Sequence, residues 1–357
     1  MKVGILTYHR AHNYGAVLQC FALQEIIRKQ GHEVEIIDYK QPFIEKYYNP
    51  QVSIRHVIKL CLLLEFEGLY VYVKRYFDKF KKRKFFNEFR LAFMKCGKPF
   101  NGTNIPQDYD TYVLGSDQIW GIHCTNGYDP IYWGNFPKGP GVKVFGYAIS
   151  GTTAYHKVLS EDEIRSNIGN FNNLSFREET LRDDIAKVAG IHAEIALDPT
   201  LLTDAEIWSP LINSEWSQRN YIVLYQVRFI KGEEKMLNRK AKSFAKHLNC
   251  EIIDLSDMQY SVEDFVSIIK YAKCVVTSSF HATVFSIIFS TPFYSFKLYD
   301  THDDRYTDLL ERLHLSKHVV DKDSVLSEIP FVDRDVIKKY LPLLQESSFR
   351  YLKTILS

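Results

Sequence analysis

The 357-residue sequence contains no uninterrupted apolar stretch of the roughly 18 residues that a membrane-spanning helix needs. The best candidate, Val57 to Val73, is broken by Lys59, Glu65, Glu67 and Gly68. The apolar run from Met1 to Thr7 is too short for the core of a signal peptide and reads as a first strand. Cysteine is sparse: Cys20, Cys61, Cys96, Cys124, Cys250 and Cys274 lie far apart, with no Cys-x-x-Cys pair and no Cys/His spacing of a zinc site. That pattern predicts reduced thiols and a cytosolic enzyme. Phosphate-loop, dinucleotide, zinc-protease and nucleophile-elbow motifs are all missing, which removes the usual support for nucleotide hydrolysis, dehydrogenation and triad hydrolysis. Asp108-Tyr109-Asp110 matches the metal-holding Asp-x-Asp pattern, but it precedes a strand and reads as a turn. His9 with His12, and His302 with Asp303 and Asp304, are the clustered histidines, and neither spacing is a metal site, so no metal is expected.

What is present fits a large soluble α/β protein. Hydrophobic residues make up 46% and charged residues 25%, and the length exceeds what one core usually serves. The run Lys2 to Thr7 passes through a polar loop, His9 to Gly15, into a helical pattern from Ala16 to Gln30 that stops at Gly31; Glu33 to Tyr39 reads as the next strand. Thr111 to Leu114 and Val144 to Ile149 are further strands that end in small and polar residues. After Asp198-Pro199-Thr200 the alternation restarts, with strands at Tyr221 to Val227, Glu251 to Leu255 and Cys274 to Ser278. The expected organisation is a Rossmann-like domain over 1–200, a second over 201–330, and a C-terminal helix over 331–357 packing back on the first.

The segment 43–100 does not fit a compact βα unit. From Phe43 to Lys98 basic residues outnumber acidic ones thirteen to five, and aromatic residues recur at helical spacing. It reads as inserted amphipathic helices, either a solvated cap or a peripheral membrane contact. No nucleic-acid module accompanies the basic charge, so no nucleic-acid partner is expected.

Five stretches occur in an order and spacing that resemble the polysaccharide pyruvyl transferase family: Asn13-Tyr14-Gly15-Ala16-Val17-Leu18-Gln19, Val113-Leu114-Gly115-Ser116-Asp117-Gln118-Ile119-Trp120, Ser175-Phe176-Arg177-Glu178, Leu197-Asp198-Pro199-Thr200-Leu201-Leu202 and Thr277-Ser278-Ser279-Phe280-His281-Ala282-Thr283. The resemblance implies two Rossmann-like domains facing a cleft, similar to the two-domain glycosyltransferase (GT-B) architecture. It also implies phosphoenolpyruvate as donor substrate, no cofactor, and a sugar or lipid-linked oligosaccharide as acceptor.

Ketal formation from an enol phosphate needs a proton at the methylene carbon, and His281, just after a strand and at a helix start, is the expected acid. Ser278, Ser279, Phe280 and Thr283 lie where a helix N-terminus would hold the donor phosphate, although Ser279 is equally a helix cap. Some relatives carry an arginine where this chain has Ser279. Arg177 matches a family arginine and is assigned to the donor carboxylate or to an ion pair with Glu178 or Glu179; either Arg305 is the substitute cation or the donor differs. Asn13 and Gly15 approach the donor, or Asn13 only caps its helix. Asp117 is expected as base toward the sugar or as a helix cap, with Ser116, Gln118 and Trp120 as acceptor contacts. Two other readings share the architecture: a nucleotide-sugar glycosyltransferase and a non-catalytic saccharide-binding protein.

Overall fold

The computed structural model describes residues 1–49, 53, 55, 58, 61–62, 66–256, 259–299 and 303–357; His302 and parts of the 43–100 segment lie outside the described residues. The first half alternates β1 (Lys2–Leu6), α1 (Tyr14–Lys29), β2 (Glu33–Ile36), α2 (Pro42–Tyr48), α3 (Phe66–Phe93), β3 (Thr111–Gly115), α4 (Ile122–Thr125), β4 (Lys143–Ile149), α5 (Glu161–Ile168), β5 (Asn173–Phe176), α6 (Glu179–Ala189) and β6 (Glu194–Ile195). The second half follows with β7 (Tyr221–Tyr225), α7 (Met236–His247), β8 (Glu251–Asp254), α8 (Val262–Tyr271), β9 (Val275–Thr277), α9 (Phe280–Phe289), β10 (Phe293–Phe296), α10 (Asp304–Arg312), β11 (Val319–Val320) and α11 (Arg334–Ile355).

The strands form two sheets, ordered β2-β1-β3-β4-β5-β6 and β11-β10-β9-β7-β8, and every pairing is parallel. This is the two-domain α/β architecture expected from the sequence. In each sheet the order reverses beside its first strand, between β1 and β3 and between β7 and β9. Ligands of open parallel sheets bind at such switch points, beyond the strands' carboxyl ends.

Helix α1 explains how the halves are joined. Asn13 caps it, Gly31 beyond its end takes φ +87°, and every residue from Tyr14 to Ile27 except Glu25 is buried, Gln19 and Gln24 among them. A helix buried that fully is covered on nearly all sides by other elements. One side lies on the first sheet; on the other, Tyr14 stacks on Phe265 of α8 at 4.3 Å and donates its hydroxyl to Tyr260 O at 2.8 Å. One apolar cluster therefore runs through both sheets, from Val3 and Val17 to Val223 and Val275.

The segment 43–100 is more integrated than a set of inserted helices. Residues after α3 run beside β2, through bridges Ile36 to Cys96 and Tyr39 to Phe100. Phe86 and Phe89 of α3 are buried in the shared core. Asp108 and Asp110 are both tied to Lys2 at the head of β1.

Helix α11 runs back across the first sheet. Tyr351, 1% exposed, donates to Gly146 O at 2.8 Å, and Ser348 Oγ accepts from Leu197 N at 2.9 Å. Removing a fully buried aromatic ring typically costs about 3–5 kcal/mol. Tyr351→Ala should destabilise the protein by that amount in urea titration, whereas Tyr351→Phe, which loses only one hydrogen bond, should cost about 1 kcal/mol.

Candidate active site

A cavity of about 440 Å³ opens between the sheets at the two switch points. The first domain supplies Tyr8 and Asn13 after β1, and Asp117 and Gln118 after β3. The second supplies Val227 and Arg228 after β7, Ser279, Phe280 and His281 after β9, and Arg305 from α10. The volume lies in the ordinary range for small-molecule sites.

Two helices begin at this cavity. Asn13 Oδ1 accepts from Ala16 N at 3.3 Å, and Ser279 Oγ accepts from Ala282 N at 3.4 Å, so both residues cap helices while lining the cavity. The unpaired amides and dipoles of α1 and α9 favour an anion there. Arg305, half-buried, is pushed down to about 10 by burial and by repulsion from Arg177 and Arg228, with Glu178 and Asp117 opposing. It stays a cation at neutral pH. Arg228 is steered by Asp303, whose Oδ1 lies 3.1 Å from Nη2; Asp303 in turn accepts from Leu298 N, Tyr299 N and Tyr306 Oη.

His281 sits in the first turn of α9, its ring laid over the backbone of Gly15: a Cβ there would come within 2.0 Å of Nδ1. That close approach is why the position needs glycine. The other ring nitrogen, Nε2, is buried without a hydrogen-bond partner and lies 3.4 Å from Asp198 Oδ2. Asp198 is itself buried, with Arg177 Nη1 at 2.7 Å on Oδ2 and Thr200 N and Oγ1 at 3.1 and 2.7 Å on Oδ1. Burial alone would raise its carboxyl; His281, Arg177 and Thr200 instead hold it well below the usual carboxylate range. Asp117 enters the cavity with φ +71°, in the left-handed region where aspartate is tolerated, and its position just past β3 aims it at the opening.

Several residues assigned to ligands from the sequence lie elsewhere. Arg177 is buried behind the cavity: its Nε binds Glu178, Nη1 Asp198 and Nη2 Ser150 Oγ, and its plane lies 4.5 Å from the Phe280 ring centre. With those donors committed, it supports the site and does not line it. Ser278 Oγ accepts from Val227 N and Arg228 N, shaping the loop that carries Arg228. Thr283 Oγ1 bonds Ser279 O and Ser295 Oγ. Ser116, fully buried, donates to Ala148 O. Trp120 is also buried, stacked on Trp133 at 4.0 Å with Nε1 donating to Tyr132 O, so it belongs to the first domain's core.

Other lining residues had weaker sequence signals. Arg228 follows the strand read over Tyr221 to Val227, so the strand-end rule applied to the other loops points to it as well. Phe43, Tyr47 and Tyr48 of α2 form an aromatic wall. Their role depends on where α2 docks, which no local pattern encodes.

Gly15→Ala should destabilise the protein by about 1–3 kcal/mol in chemical denaturation, because a Cβ there falls within 2.5 Å of three atoms of the buried His281 ring and pushes the ring off its seat. Imidazole NMR signals of His281 would shift with it. Asp198→Asn leaves Arg177 under-compensated in a buried site and should cost about 3–5 kcal/mol by chemical denaturation. The stability that the wild-type pairing supplies is complete above the ordinary carboxylate pKa of about 4 and drains as pH falls below it.

Comparison with known proteins yields no match among curated proteins. Among solved structures the chain is similar to a protein described as a UDP-N-acetylglucosamine 2-epimerase from Listeria monocytogenes, with TM-score 0.49 and 9% identity over 98% of this chain and 96% of that one. It is similar also to the UDP-GlcNAc 2-epimerase of Methanocaldococcus jannaschii, with TM-score 0.47 and 10% identity over 97% and 93%. An E. coli heptosyltransferase with ADP gives TM-score 0.38 and 11% identity over 96% and 100%. The model of one sequence family matches residues 13–298, the stretch that runs from the start of α1 through the loops after β3, β7 and β9 and contains the His281 turn. By that match, the chain belongs to the polysaccharide pyruvyl transferase family.

Proposed function

We propose that this protein transfers the pyruvyl group of phosphoenolpyruvate to two hydroxyls of a sugar in a surface polysaccharide or its lipid-linked precursor. The observation that carries this reading is the convergence of Arg228, Arg305 and the capped starts of α1 and α9 on one cavity beside His281. Phosphoenolpyruvate carries a carboxylate and a phosphate on the same carbon, and two guanidinium groups with two helix N-termini match that charge. On this reading Arg305, which lines the same cavity, supplies the positive charge that Ser279 does not.

In the reaction, His281 gives a proton to the methylene carbon, which becomes the methyl group, while a sugar hydroxyl bonds to the adjacent carbon. Asp117, on the opposite wall, accepts the proton of the attacking hydroxyl. The second hydroxyl bonds to the same carbon as phosphate leaves, and its proton departs with the phosphate. Asp198 beneath Nε2 fixes how the imidazole faces the donor. Tyr8, Phe43, Tyr47 and Tyr48 offer apolar ring faces of the kind that pack on sugars.

Calorimetric titration tests the reading. Phosphoenolpyruvate should bind the purified protein, and Arg228→Ala or Arg305→Ala should each weaken it by about tenfold to a hundredfold, the worth of a charged hydrogen bond. His281→Ala should still bind the donor but lose about 10²–10⁴ in ketal formation. Binding of a nucleotide sugar with no response to phosphoenolpyruvate would replace this reading with a glycosyltransferase.

A further inference from the structure

Helix α3 is two different surfaces end to end. Its last turns are built into the protein through Phe86 and Phe89, whereas its first turns expose Phe66, Tyr70, Val73, Phe77 and Phe80, each between 41% and 68% accessible. These five positions are spaced by 4, 3, 4 and 3 residues, which lays them along one face of a helix. An aromatic stripe of this length in water costs free energy unless something covers it.

The charge around the stripe selects the occupant. From Lys74 to Lys84 there are seven basic residues and one acidic residue, Asp78. Lys74 and Lys81 are exposed on one flank, and Lys84 continues the line of the stripe one turn after Phe80. The spacing alone would also suit a coiled-coil seam, but a second copy would bring this basic segment against its like. Aromatic residues flanked by lysine and arginine, on a helix too polar to cross a bilayer, are the pattern of a helix lying in an anionic membrane interface.

The helix is anchored at the mouth of the cavity. Lys79 Nζ donates to Tyr47 O at 3.1 Å, and Tyr47 lines the cavity; Phe86 stacks on His12, in the loop after β1, at 5.5 Å. We propose that α3 seats its Phe66–Phe80 stripe in the headgroup region of an anionic bilayer, with its basic side chains on the lipid charges. The cleft is then held beside the membrane. That last step, the presentation of a lipid-borne acceptor, rests on the pyruvyl transferase reading; the membrane contact itself does not.

The test is sedimentation of the full chain with vesicles of phosphatidylglycerol and phosphatidylcholine, and with pure phosphatidylcholine. The protein should pellet with the anionic vesicles at low salt, fall off about tenfold at high salt, and stay in solution with the neutral ones. The double variant Phe77→Glu, Phe80→Glu should lose pelleting by a similar factor, with an unchanged circular dichroism melt and unchanged phosphoenolpyruvate titration. Pelleting that the variant leaves intact, or none with anionic vesicles at any salt, overturns the proposal. So does a vesicle-free dimer, seen by sedimentation velocity, that the double variant dissociates. Phosphoenolpyruvate binding is read separately in the same preparations, so failure of membrane contact and failure of the donor assignment are told apart.

Discussion

The carboxylate of Asp198 is the point on which the site turns. It stands where the chain leaves the first domain, and its two oxygens are divided between Arg177 and Thr200, with His281 of the second domain at 3.4 Å. A buried carboxylate is tolerated only where its partners replace the water it has lost. Here the hydrogen bonds come from Arg177 and Thr200, and the second domain adds the His281 ring at 3.4 Å. Arg177 belongs to the same arrangement. It neutralises Asp198 and Glu178 and lies against the Phe280 ring, and that contact sets the start of α9.

Above this layer stands the cavity lining: His281 on Gly15, Asp117 on its left-handed turn, Arg228 braced by Asp303, and Arg305. The division of labour is clear from position. Arg177 and Asp198 are bonded to one another beneath, whereas His281, Asp117, Arg228 and Arg305 line the opening. On the proposed reading, groups held by such a layer are preorganised, which is the larger part of what an enzyme contributes to charge stabilisation.

Much of the architecture was legible in the sequence because parallel strands and amphipathic helices write their periods into it. The loops after β1, β3 and β9 were recognisable as strand ends, and His281, Asp117, Gln118, Asn13, Ser279, Phe280 and Arg305 do meet at one cavity. Within a loop there is no period, so neighbours in one motif separate. After Asp117 and Gln118 the chain turns, with Trp120 N bonded to Ser150 O, and Trp120 drops into the core. Arg177 misled for a different reason. It follows β5, which is separated from the switch point by β3 and β4, so its strand end opens behind the cleft. Asp198 could be seen as part of a motif, but only the fold brings it under a histidine 83 residues later in a chain that has crossed into the other domain.

Helix α1 carries one more consequence. Because it is buried nearly all round and its Tyr14 is stacked between elements of the second domain, the two halves share one apolar cluster besides the core that each has of its own. Helix α11 closes the circuit by returning to the first sheet. The two domains are thus packed through a shared apolar cluster, so a substitution that loosens the core around α1 acts on both walls of the cleft.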